Sequence, residues 1–430
     1  LGDPLVSAPQ AGNTFTLRPA GHAFGMGFTV TGSAPWTTQS LAPSGTFSGP
    51  GLRTGFEVSM SNAWALGGLG DEPLYFEWNT SVGLTSASGS TSTALSGPVF
   101  LSFGSPPEGA IDATTDTSGG TADASTNASI LDGSGDSATI NSSASSGPGG
   151  SVSQVALSTT NEGGVFTAET TDGSAPTAAA YGAIFDKDGF AFAAAGDLGD
   201  TSLVTDWSDS QFSLETEVLI GRAITSGTDW SIFASAGPSF TFTDRTLRRT
   251  ERFVIDPVIA GVDPIELSLS TEDRLTTRSY GGTAGVTFTR LLSPDWGITL
   301  GMSGGLDYFD SDYVGTSAVS VPARPTGIPT AFNLQGNSTS MSLQGVSGRV
   351  AASVKLSHYL ESGGVLGLSL FGDYAWNVPT IATRTTGSTP GSFGAGSASY
   401  SGTGAPFRET YVTTGTSWSV GVGVSYGITF

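Results

Sequence analysis

The last fourteen residues alternate without an error: Trp418, Val420, Val422, Val424, Tyr426, Ile428 and Phe430 interleave with Ser417, Ser419, Gly421, Gly423, Ser425, Gly427 and Thr429. Successive side chains of a strand point to opposite faces, so this segment has one wholly apolar face and one of small or polar residues. Left as an unpaired edge, such a strand would recruit other chains. A barrel closed within a bilayer has no edge, and it puts the apolar face in lipid.

The pattern recurs along the chain. Leu366, Leu368, Leu370, Tyr374 and Trp376 alternate with Gly367, Ser369 and Asp373; Val346, Val350, Val354 and Leu356 with Ser347, Arg349, Ser353 and Lys355. Trp296, Ile298, Leu300, Met302, Leu306 and Tyr308 face away from Thr299, Gly301, Ser303, Gly305 and Asp307. Similar strands are predicted around Tyr280–Phe288, Trp230–Phe242, Phe212–Ile220, Leu74–Leu84, Leu52–Trp64 and Phe24–Val30. No segment of comparable length has the i, i+3, i+4 spacing of a helix.

The ending resembles the terminal strand of Gram-negative outer-membrane β-barrels, in which a final Phe after alternating apolar residues is the assembly signal. The resemblance implies that Tyr426, Ile428 and Phe430 are read by the barrel-assembly machinery. It also implies a bacterial outer-membrane location, with outer-membrane lipid and lipopolysaccharide as surroundings and a homo-oligomer as an option. The start, Leu1-Gly2-Asp3-Pro4, has no basic and apolar leader, so an exported chain would have lost its signal peptide already. A net charge of −21 argues against nucleic acid, and the absence of cysteine removes disulfides and thiolate metal sites.

Short links (Gly67–Pro73, Ser226–Asp229, Leu292–Asp295, Ser357–Gly364) alternate with long ones (Ser33–Pro50, Arg245–Thr276, Asp310–Ser340, Pro379–Thr416). That parity fits an all-β, transmembrane, antiparallel up-and-down β-barrel with short periplasmic turns and long extracellular loops. About twelve strands are expected if the hairpin Tyr181–Phe192 crosses the membrane, and ten if it does not. Residues 1–20 are expected as an N-terminal periplasmic or lumen segment and 21–430 as the barrel. A Ser/Thr/Gly/Asp-rich extracellular insertion at 86–177 looks too poor in apolar residues to form a core alone.

The inferred inner face is mostly Gly, Ser and Thr, too small to fill such a lumen, so water, a loop or the N-terminal segment is expected there. The charged residues expected to face inward are Arg53, Glu57, Glu77, Glu215, Glu217, Arg245, Asp307, Arg349, Lys355 and Asp373. Such residues set selectivity in a pore or pair across strands to brace the wall. Trp64, Trp230 and Trp296 lie beside short links and Tyr308, Trp376 and Trp418 toward long ones, as interface aromatics do. In the insertion, Asp132 and Asp136 are weak calcium candidates, because calcium wants several oxygens on tight turns but the EF-hand spacing is absent. No other metal or cofactor is indicated.

No nucleophile elbow, P-loop or dinucleotide fingerprint occurs in its required context, and His22 and His358 both fall at ends assigned to the periplasm. The chain is therefore not expected to be an enzyme. Two functions remain. The leading one is a passive or weakly selective porin-like channel, supported by the small inner residues; the alternative is a surface structural, adhesive or lattice-forming protein, anchored by its barrel and supported by the mass of its loops.

Overall fold

The alternating segments are strands, and the longest extend well beyond the stretches whose pattern announces them. The computed structural model describes residues 12–24, 52–68, 73–95, 98–255, 264–323, 328, 330–361, 364–385, 391–403 and 408–428. Among these residues there are twenty-one strands and no helix. The first three are β1 (Gly12–Phe24), β2 (Leu52–Gly68) and β3 (Pro73–Ala94). Shorter strands follow: β4 (Val99–Gly104), β5 (Glu108–Asp116), β6 (Ala122–Leu131), β7 (Ser137–Ser146), β8 (Ser151–Thr159), β9 (Gly163–Asp172), β10 (Thr177–Asp186) and β11 (Gly189–Gly196). Then come β12 (Ser202–Ser226), β13 (Trp230–Ile255), β14 (Ile265–Ser293), β15 (Trp296–Val321), β16 (Phe332–Gln335), β17 (Thr339–Tyr359), β18 (Gly364–Thr385), β19 (Gly391–Gly394), β20 (Ser397–Thr403) and β21 (Arg408–Ile428).

Ten strands pair antiparallel in the order β1-β2-β3-β12-β13-β14-β15-β17-β18-β21, and β21 pairs with β1 again. The order of pairings thus returns on itself as a ring. β16 takes the place of β17 beside the far end of β15. The expectation of about twelve strands is not met, because the hairpin Tyr181–Phe192 belongs to a different sheet. Residues 12–20, expected in a separate N-terminal segment, lie in β1 between β2 and β21. Met26, Phe28 and Val30 fall outside the described residues.

The strands flanking each short link pair with each other, as the length of the links dictates. Three of the expected loops are instead largely strand, Pro379–Thr416 among them, where β18 and β21 pair as far as Thr385 opposite Arg408. β13 and β14 stay paired from Trp230 opposite Arg290 to Ile255 opposite Ile265, through most of Arg245–Thr276. β14 and β15 pair as far as Ser268 opposite Ser320.

The Ser/Thr/Gly/Asp-rich region does form a core. β4-β11-β10-β9-β8 and β19-β20-β5-β6-β7 are two five-stranded sheets. Ile111, Ile130, Ile140, Val165, Ile184 and Tyr400 pack between them, and Ala113, Ala122, Ala124, Ala178, Ala180 and Ala195 continue this interior toward one end. The other face of the first sheet, through Phe166, Phe185, Phe190 and Phe192, packs on Leu203, Phe253, Leu267, Leu269 and Val319 at the far ends of β12 to β15. That sheet is the middle layer of three, which is why β9, β10 and β11 are buried on both faces. The strands of this insertion therefore continue to Gly196, past residue 177, and take in β19 and β20 from the segment after β18, while Ser86–Ala94 belong to β3.

Its aspartates build turns. Asp116, Asp132, Asp172, Asp186 and Asp197 each accept a hydrogen bond on Oδ1 from the amide two residues on, at 2.8–3.1 Å. This is the Asx-turn that lets Asp replace a backbone carbonyl at a reversal.

Candidate functional site

Arg349 of β17 reaches across the interior of the ring. Its guanidinium pairs with Glu215 and, at 2.6 Å, with Glu217, both on β12, four places away in the ring order. Its Nε lies 3.8 Å from Asp307 Oδ2 on β15. Asp307 is buried and accepts a hydrogen bond from Ser239 Oγ at 2.9 Å. Asp373 faces the same guanidinium and accepts a hydrogen bond from Ser419 Oγ, while Glu77 neighbours Glu217. Three carboxylates thus contact one arginine, with two more close by, and a planar fork is the side chain suited to bridge several of them.

A second chord lies nearer the sandwich. Arg245 holds Asp209 through two bonds, Nε–Oδ1 at 3.0 Å and Nη2–Oδ2 at 2.8 Å, and its Nη1 donates to Thr380 Oγ1 on β18 at 3.3 Å. Beside it Tyr313 donates to Asp273 at 2.6 Å, and Leu247, Leu275, Tyr313 and Ile381 form an apolar cluster with Trp207, Met341 and Val412. Toward the hairpin turns the interior holds Tyr75 edge-on to Phe233, with ring centroids 5.9 Å apart. Between this pair and the Arg349 belt, Ser303 and Ser353 face the interior and remain exposed, so a solvent-reachable space persists there.

The inner face, expected to be mostly Gly, Ser and Thr, thus also carries large aromatic rings. A glycine on one strand often lies beneath an aromatic ring of its neighbour. A Cβ at Gly421 would stand 2.2 Å from Phe371 Cζ, and one at Gly345 2.7 Å from Phe309 Cζ. The glycines make room for rings, the reverse of leaving a void. Phe233, Phe309, Asp209, Asp273 and Tyr313 were missed because the inward register was not carried through every odd position and beyond the recognised strand ends; Tyr75 was on the inward face of its strand but was not singled out.

Of the residues expected inside, Glu77, Glu215, Glu217, Asp307, Arg349 and Asp373 come together in one belt, and Arg245 lies in the second. The Lys355 chain runs past Gly367 on β18. Arg53 and Glu57 lie on β2, but their side chains, like those of Trp64 and Ile428, fall outside the description, as do Thr429 and Phe430. Trp296, Tyr308, Trp376, Trp418 and Tyr426 are all exposed on the outer face, and Trp230 begins β13. His358 stacks on Trp296 beside a hairpin turn and its Nδ1 lies 3.0 Å from the Asp295 carbonyl. His22, expected near the turns, pairs with Ser419 and Arg53 toward the opposite end, because β1 begins earlier in the chain than its pattern indicated.

The calcium candidates are engaged otherwise. Asp132 accepts the amides of Ser134 and Asp136 and the Ser134 hydroxyl on Oδ1, and the Glu162 amide on Oδ2. Asp136 is bonded by Asn161. Against the opposing effect of burial, these donors, the Ser134 hydroxyl foremost, hold Asp132 well below the usual carboxylate range. Asp186 goes the other way: burial pushes it up to about 6, despite amide bonds from Asp188 and Gly189.

No protein-family model and no curated protein matches this chain. Among solved structures it is similar to the crystal structure of a Pseudomonas aeruginosa FadL homologue, at 8% identity, with 96% of this chain and 89% of that one covered and a TM-score of 0.20. The P pilus usher PapC translocation pore aligns at 9% identity over 97% and 99% of the two chains, with a TM-score of 0.09. Likeness this slight carries no argument about what the protein does.

Proposed function

We propose that this chain is an outer-membrane β-barrel that serves as a braced anchor for a surface β-sandwich, and that the sandwich does the protein's work as a structural or adhesive element. The membrane reading is supported by the outer face of the ring, where Leu300, Met302, Leu306, Val350, Leu368, Leu370, Val420, Val422 and Val424 are all exposed. Water is the wrong solvent for that belt. Aromatic rings bound it, and the twelve steps from Trp296 to Tyr308, at about 3.3 Å each and a tilt near 40°, rise roughly 30 Å, close to the apolar height of such barrels. Outer-membrane lipid and lipopolysaccharide then surround the belt.

The observation that carries the anchor reading is the Arg349 bridge to Glu215 and Glu217 across the interior. A second reading, a weakly cation-selective channel, is favoured by the exposed Ser303 and Ser353 and by the excess of carboxylates in the belt. Conductance in a planar bilayer separates the two. The anchor reading expects no steady current from the wild-type protein, and a current from Arg349→Ala at most. A steady, ohmic wild-type conductance would sink it in favour of the channel.

A further inference from the structure

The interior of the sandwich contains a carboxylate that the anchor reading leaves without a purpose. Glu169 of β9 is wholly buried between the two sheets, as are Thr126 of β6 and Thr167 and Thr171 of β9. Its Oε1 accepts a hydrogen bond from Ser142 Oγ at 2.6 Å, and that hydroxyl also lies 2.7 Å from Thr167 Oγ1. Its Oε2 and the Thr126 Oγ1 beside it have no hydrogen-bond partner beyond what each can offer the other, and Thr171 Oγ1, two residues along the same face, has none. Among the described residues no Lys, Arg or His pairs with Glu169.

An isolated charge in such a place is expensive, and so is each orphaned oxygen; an unseen ion or water is the usual resolution. The donor set selects between ions. Every group is a hard oxygen, which excludes soft metals. There is a single negative charge, which a monovalent cation neutralises and a divalent one overcompensates. Access is short, because Glu169 pairs with Gln154 on β8, the last strand of its sheet.

We propose that the sandwich binds one monovalent cation of sodium's size, held by the Glu169 carboxylate and the hydroxyls of Thr126, Thr167 and Ser142, with Thr171 completing the oxygen shell. The cation ties β9 to β6 and β7 across the interior and so locks the two sheets together.

The test uses the full chain in detergent micelles, with amide hydrogen exchange of peptides covering β6, β7 and β9 read in sodium chloride and in choline chloride at equal ionic strength. Protection is expected to be at least tenfold greater in sodium, with no such difference for Glu169→Gln, which keeps the acceptor for Ser142 but lacks the charge. Thr126→Val, which removes one hydroxyl and keeps the carboxylate, is the second variant; it is expected to shift the sodium midpoint upward several-fold even if Glu169→Gln fails to fold. Equal wild-type protection in the two salts would overturn the proposal in favour of a neutral acid with bound water. Protection gained only with calcium would overturn the choice of ion.

Discussion

At the scale of single residues, environment decides what each aspartate does. Asp132 and Asp186 both close tight turns, yet their carboxyls shift in opposite directions, because four donors reach the first and burial dominates the second. For Asp186, an ordinary value near 3.9 rises to about 6 on folding, so the folded state binds a proton more tightly than the unfolded one. Its contribution is therefore neutral below pH 3.9, destabilises progressively from there to pH 6, and is constant above, by up to roughly 3 kcal/mol. Asp186→Asn keeps the Oδ1 acceptor and removes the titration. Amide exchange of the β10–β11 hairpin, compared between wild type and variant from pH 4 to 7, should show the variant gaining relative protection through this window and then holding it. A constant difference across the range would refute the assignment. Glu169, raised by burial as well, is common to both proteins and cancels in the comparison. Asn377 is a second such residue. It sits at φ 56°, at the register shift between Trp376 and Val378 on β18, where an extra residue must be absorbed. Asn377→Gly should be near neutral and Asn377→Val should cost at least about 1 kcal/mol in folding stability, since a branched side chain resists the left-handed region.

At the scale of elements, the sequence was legible where period two meets one apolar and one polar environment. The strands around Trp296–Tyr308 and Trp418–Ile428 were readable for this reason, and so was the inward register of Glu215, Glu217, Asp307 and Arg349. The sandwich was illegible for the complementary reason. Ala178–Phe185 and Phe190–Ala195 do not alternate because both faces of their sheet are covered, and that same continuity, with Phe185 and Phe190 at the turn, mimics a membrane hairpin. The strand extensions past Arg245 and Asp310 were read as loops because their outer faces carry ion pairs such as Arg274–Asp244 and Arg278–Asp312 in place of apolar residues. Two element-scale tests follow from these faces. Leu300→Arg, on the outer face of β15, should lower folding stability in lipid vesicles by about 2–4 kcal/mol, whereas Ser303→Arg, facing the interior space, should change it little. Phe192→Ala should cost about 3–5 kcal/mol in the sandwich, because Phe192 is fully buried, its ring centroid 4.1 Å from that of Phe253 on β13. Its readout is proteolytic cleavage within residues 99–196.

At the scale of the molecule, the ring and the sandwich derive their stability from different sources. The ring has a cycle of ten strand pairings, an exposed apolar outer face, and arginine bridges across its interior. Opening it requires breaking a complete strand interface, with no frayed edge from which to start. The sandwich depends on an apolar interior of ordinary kind, much of it alanine, and on its seat against Phe253, Leu267 and Leu269. Apolar packing of that sort gives way to heat and detergent sooner than a closed hydrogen-bonded wall does. Purified protein kept unboiled in detergent should therefore migrate on a gel at a position different from the boiled chain. On stepwise heating, protease sites in residues 99–196 should open at temperatures where that folded position is still retained. Identical migration of boiled and unboiled protein would count against the closed ring. A single transition in which the gel position and the protease sites are lost together would instead show that the stacked sheets, through Phe253 and its neighbours, couple the two parts into one cooperative unit.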